Sequence, residues 1–125
     1  MKRLALVLLA SFSLETIACG VCIDDKVASC YDYAVVTKAK ARGHEVAFFA
    51  IDGSLPVRDD VRSAVLRAVQ VTPGVLRGTA RVSLENAALS FAYDPARTTH
   101  AAVGAALDAR LAGRRLSLRF LRVMP

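Results

Sequence analysis

The tightest constraint on this chain is the stretch 71–95, VTPGVLRGTARVSLENAALSFAYDP. Thr72-Pro73-Gly74-Val75 is turn chemistry: proline presets one central position and glycine tolerates a positive φ at the next. Gly78, Ala80, Val82 and Leu84 then alternate with Thr79, Arg81, Ser83 and Glu85. That period of two describes a strand with one apolar and one wet face. Glu85-Asn86 supplies a reversal, because asparagine takes left-handed backbone cheaply. Leu89, Phe91 and Tyr93 resume the alternation. Asp94-Pro95 ends it, since proline cannot donate to a ladder. The stretch therefore predicts a β-hairpin.

The flanking segments extend the pattern. Residues 46–51, VAFFAI, are apolar on both faces, which predicts a central strand with something packed on each side. Residues 58–71 predict a helix with Val61, Val65, Ala68 and Val69 inward and Asp59 and Asp60 near its positive end. Residues 99–112 predict a second helix, capped by Thr98 and ended by Gly113, with Val103, Ala106, Leu107 and Leu111 inward. Leu116, Leu118 and Phe120 form a last strand, with Ser117 and Arg119 facing out. From residue 45 to 123 the order is βαββαβ, an α+β antiparallel sandwich. Upstream, Val27, Cys30, Tyr31, Ala34 and Val35 fall at helical spacing and predict one additional helix over 25–42. Asp24 and Asp25 open it, Lys38, Lys40 and Arg42 collect at its far end, and Gly43 offers a C-cap. Its expected place is the sheet face that the other two helices leave open, against Phe48 or Phe49.

The run Pro73-Gly74-Val75, strand, turn, strand, Tyr93-Asp94-Pro95 and then a helix opening at threonine resembles the second half of a heavy-metal-associated domain. Members of that family are small ferredoxin-like modules that carry copper or other soft metals. The resemblance covers residues 45–123, through Gly74, Val75, Val82, Phe91, Tyr93, Asp94, Pro95 and Gly113. It implies a ferredoxin-like fold and a metal carrier rather than an enzyme. The family's metal motif is a Cys-x-x-Cys in the loop after the first strand. Here that loop is Asp52-Gly53-Ser54-Leu55-Pro56, and no cysteine follows Cys30.

The N-terminus has the layout of an export signal. Met1-Lys2-Arg3 is basic, residues 4–14 are apolar or small, and Thr16-Ile17-Ala18 precedes Cys19. The apolar run is shorter than the roughly 20 residues that cross a bilayer. The expected organisation is a signal peptide at 1–18, a cysteine-containing arm with the additional helix at 19–43, and the ferredoxin-like domain at 45–123. The expected location is the periplasm. Two readings of Ala18-Cys19 stand: ordinary cleavage leaving a free thiol, or a bacterial lipobox that makes Cys19 a lipidated N-terminus. Thr16 replaces the leucine usual in a lipobox. A membrane partner is expected only with lipidation. Loss of Lys2, Arg3 and Glu15 takes the formal net charge from +6 to +5. Arg110, Arg114, Arg115, Arg119 and Arg122 gather at the C-terminus. They read as a solvated basic face, and an exported chain rarely meets nucleic acid.

Cys19, Cys22 and Cys30 are the three cysteines, all in CGVCIDDKVASC. Three thiols cannot all pair within one molecule. Two thiols at i and i+3 can clasp a soft ion, and two-coordinate copper(I) suits such a pair. The candidate ligands are Cys19 and Cys22, with Cys30 weaker because it sits on an apolar stripe. His44 and His100 are distant extras. A disulfide or an unligated thiol cluster is an alternative. A thiol–disulfide oxidoreductase is another, since C-G-x-C ahead of a helix resembles the thioredoxin site. No nucleotide loop, nucleophile elbow or metal-spaced His/Glu set occurs, which speaks against an enzyme. The sequence thus yields two functions. One is an exported copper-type metal binder using the CGVC thiols. The other is a degenerate module without metal, acting as a protein-interaction partner.

Overall fold

The computed structural model describes residues 15–125, with the backbone alone for residues 15–22. Its elements are α1 (Glu15–Cys30), α2 (Tyr33–Ala41), β1 (Glu45–Asp52), α3 (Asp59–Val71), β2 (Arg81–Ser83), β3 (Ala88–Tyr93), α4 (His100–Leu111) and β4 (Ser117–Met124). A 3-10 turn, Ala112–Arg114, joins α4 to β4. The four strands form one antiparallel sheet in the order β2-β3-β1-β4. From β1 onward this is the βαββαβ order of a ferredoxin-like fold.

The doubly apolar β1 explains the layering. Ala47, Phe49 and Ile51 face α3 and α4, where Val61, Val65, Val69, Val103, Leu107 and Leu111 meet Leu89, Phe91 and Tyr93. Val46 and Phe48 face the other way, with Ala88 and Ala92, against Val27, Cys30 and Ala39. The N-terminal helices therefore cover the sheet's second face, through Phe48 rather than Phe49. The result is a three-layer sandwich.

The expected helix over 25–42 is two helices. Asp32 breaks it, in extended backbone (φ −126°, ψ 114°), and its carboxylate accepts from the backbone N–H groups of Ala34 and Val35. The aspartate side chain competes with helix continuation and starts a new helix instead. Asp24 and Asp25 do not open a helix; they lie inside α1, which begins at Glu15. At the far end, Gly43 (φ 71°) donates to the Lys40 carbonyl and His44 to the Ala39 carbonyl, a Schellman closure.

Four turns differ in detail from expectation. The strand predicted from residue 78 begins at Arg81. The Thr79 hydroxyl donates to the Leu76 carbonyl and accepts from the Ala92 N–H, doing side-chain work where a ladder bond would stand. The left-handed residue of the hairpin is Ala87 (φ 48°), not Asn86. Thr99 rather than Thr98 caps α4, accepting from the Ala102 N–H, because Thr98 belongs to the preceding turn on the Asp94 carbonyl. Gly113 sits in the 3-10 turn, and Arg115 (φ 58°) makes the reversal.

The last strand runs to Met124, past the expected Phe120. A bulge makes the extension possible: Phe120 pairs with Phe49 and Arg122 with Phe48, so Leu121 is the extra residue. Leu121 and Met124 join the cluster under α1, while Val123 stays with the opposite core. Without the bulge, strict alternation would turn Arg122 into that core.

Candidate thiol site and its surroundings

Helix α1 is fixed across the sheet by polar links to successive strands. Asp24 meets Arg122 on β4 at 3.1 Å. The Lys26 ammonium donates to the Asn86 carbonyl at 2.5 Å and to that of Ala87 at 3.3 Å. The Ser90 hydroxyl on β3 donates to the Cys30 carbonyl at 2.9 Å, satisfying one of the carbonyls orphaned at the helix end. Just beyond the helix, Arg81 on β2 donates to Asp32 at 3.0 Å. Those donors hold the Asp32 carboxyl below the usual carboxylate range, Arg81 contributing most and the capped N–H groups of Val35 and Ala34 adding to it.

The three cysteines are not equivalent. Cys30 is buried, 3% exposed, among Val27, Phe48 and Ala88. Burial pushes its thiol pKa up, against smaller opposing effects from Ser29, Ser83 and Lys26. Its neighbouring polar side chain is the Ser29 hydroxyl at 3.7 Å. Among the described residues, no group of three or more His, Cys, Asp and Glu side chains could hold a metal. Positions 19 and 22 lie in the backbone of α1, upstream of the Asp24–Arg122 link. Their side chains lie outside the described residues, as do the expected leader's residues 1–14. CGVC is inside a helix rather than ahead of one, so the helix N-terminus invoked for a thioredoxin-like thiol does not coincide with it.

The loop after β1, where the resemblance would place a thiol pair, offers no soft donor. Residues 53–58 hold no thiol and no imidazole. The Asp52 carboxylate at its start accepts from Arg119 at 3.4 Å. That donor set does not suit a soft ion. The histidines do not help. His100 stacks on Phe120, centroids 4.2 Å apart, and His44 follows the α2 cap. Lys26 contacts the 86–87 turn, whose Ala87 carbonyl accepts from Ile51, so α1 passes the same end of the sheet as this loop. A part-buried polar pair lies elsewhere: the Tyr93 hydroxyl donates to Glu45 at 2.5 Å. Burial first, then that carboxylate, pushes the Tyr93 pKa well up.

No protein-family model and no curated protein sequence matches the chain. Among solved structures, oxidised MerP from Ralstonia metallidurans CH34 is similar, with a TM-score of 0.49 and 15% identity, over 63% of this chain and 99% of that one. No described helix is long and apolar enough to cross a membrane.

Proposed function

We propose that this protein is an exported soft-metal binder, with copper(I) as cargo held by Cys19 and Cys22. The observation that carries the reading is the spacing of those cysteines within α1. Residues three apart on a helix are surface neighbours, with Cβ atoms roughly 5–6 Å apart. Two thiolates so placed can share one ion of low coordination number. Three features support the assignment: the ferredoxin-like order from β1 to β4, the heavy-metal-associated pattern of residues 73–95, and the lack of thiols after Cys30. Any thiolate chemistry must come from the N-terminal segment, and burial sets Cys30 apart from the pair. The periplasm is the proposed location, and a protein that receives the ion is the proposed partner.

The test is copper(I) titration of the reduced, leaderless chain against a competing chelator. The reading expects one ion per chain, lost in Cys19→Ser and in Cys22→Ser and kept in Cys30→Ser. Binding unchanged by Cys22→Ser rejects it. A second reading, a metal-free interaction module anchored through a lipidated Cys19, draws on the 53–58 loop, which offers no soft ligand. Lipidation turns the Cys19 sulfur into a thioether and removes the dithiol. Mass spectrometry of the mature N-terminus separates the two: a diacylglyceryl Cys19 favours the module, an unmodified one the metal binder.

A further inference from the structure

The second face carries a groove that the thiol chemistry does not use. It lies between α2 and the segment 76–81 and encloses about 450 Å³. Pockets of a few hundred Å³ hold small ligands when an apolar lining meets a few placed polar groups. The floor is Ala39, Leu76 and Ala92; the rim is Lys38, Arg42 and Arg77. Ala39 and Ala92 are 5% and 1% exposed, and their small side chains leave the hollow open.

The rim is electrostatically unbalanced. Arg58, Arg62, Arg81, Arg97, Arg119 and Arg122 each face a carboxylate. Lys38, Arg42 and Arg77 take part in no ion pair among the described residues, and neither do Lys40, Arg67, Arg110, Arg114 and Arg115; what sets the three apart is that they line one hollow. The nearby carboxylate, Asp32, is taken up by Arg81 and by the α2 cap. Lys38 and Arg42 have a simpler account, since cations near a helix C-terminus offset its dipole. Arg77 does not. It sits on the opposite wall, on a loop that the Thr79 turn and the Leu76–Ala92 backbone bond hold in place. Three cations from two elements thus line one hollow with an apolar floor.

We propose that this groove binds an acidic amphiphile, its anionic head among Lys38, Arg42 and Arg77 and its hydrocarbon part over Ala39, Leu76 and Ala92. The ligand's source is either a free amphiphilic anion or a phospholipid at a membrane surface. The proposal stands apart from the thiol reading.

The experiment is an amide NMR titration of the reduced, leaderless chain with hexyl phosphate, and separately with inorganic phosphate. Saturable shifts are expected at Ala39, at residues 76–79 and at Ala92. Hexyl phosphate should bind at least about tenfold more tightly than phosphate, since two buried methylenes already supply that factor. Arg77→Glu should weaken hexyl phosphate at least about tenfold with the amide spectrum otherwise retained. Arg110→Glu, the same charge change on α4, should leave it unchanged. Sedimentation with vesicles of phosphatidylglycerol and phosphatidylcholine then identifies the source. Loss of vesicle binding in Arg77→Glu alone assigns a phospholipid, and absence of vesicle binding assigns a free anion. The proposal is overturned if hexyl phosphate gives no saturable shift, if phosphate binds equally well, or if Arg110→Glu weakens binding as much as Arg77→Glu.

Discussion

Replacing Phe48 with alanine probes whether the N-terminal helices are a structural layer. Phe48 is 1% exposed and lies on the α1–α2 side, packed with Val27, Cys30, Ala39 and Val46. A Phe→Ala change at a closed site loses the transfer free energy of the ring and leaves a cavity, together about 3–5 kcal/mol. In a domain of about 100 residues, 1 kcal/mol moves Tm by roughly 4–8 °C, so a fall of at least about 12 °C is expected. The assay is equilibrium urea unfolding of the reduced chain, with ΔΔG taken from the midpoint at constant slope. Two comparisons fix the scale. Phe49→Ala, 4% exposed on the opposite face, should cost a similar amount. Tyr33→Ala, 73% exposed on α2, should stay within about 0.5 kcal/mol. If Phe48→Ala costs less than about 1 kcal/mol while Phe49→Ala costs several, α1 and α2 do not seal that face and the three-layer description fails.

Three further outcomes follow from the geometry. Gly74→Ala should destabilise by about 1–3 kcal/mol, because φ is 96° and a Cβ there would stand 2.7 Å from Val103 Cγ2. Gly43→Ala, with φ 71° and open space around it, should cost less in the same unfolding assay. The Asp32 carboxyl is lowered in the fold, so its contribution is complete above the ordinary carboxylate pKa and lost as pH falls through the depressed folded value. Asp32→Asn should therefore flatten the acid limb of a stability-versus-pH curve. In a Cys19→Ser/Cys22→Ser chain, Cys30 should resist iodoacetamide until the chain unfolds, because its thiol is buried and its pKa raised; alkylation at native conditions as fast as that of a free thiol contradicts the packing.

Much of the fold was legible because its signals are local. The strand pattern of residues 81–84 and 89–93, the type II turn at Thr72–Val75, where Val75 donates to the Thr72 carbonyl, and the doubly apolar 46–51 each reflect one nearby constraint, although the face of the hairpin expected to be wet is buried, Ser83 at 7% and Ser90 at 2% exposure. The double apolarity even announced a layer on each face. What sequence pattern missed depends on long-range partners. Asp32 reads as one more helical residue until Arg81, 49 positions away, is seen to hold it. The β4 bulge is invisible in LRFLRVM; it lies opposite Phe48 and Phe49, partners more than 70 positions away. Ala87 takes the left-handed position although Asn86 is the better candidate by residue type; its carbonyl is held by Ile51 and Lys26. The basic groove was missed as well. Lys38 and Arg42 read as helix-end charges, and nothing local brings Arg77 to the same hollow. Of the site, the cysteine spacing and the empty 52–56 loop were plain in the sequence, as was the burial of Cys30.

The most direct measurement is X-ray absorption at the copper edge of the reduced chain given one equivalent of copper(I). The account predicts a first shell of two sulfur atoms in the wild type and in Cys30→Ser, and no copper signal from Cys22→Ser after gel filtration. A wild-type shell dominated by nitrogen and oxygen, or one that loses a sulfur in Cys30→Ser, would contradict it.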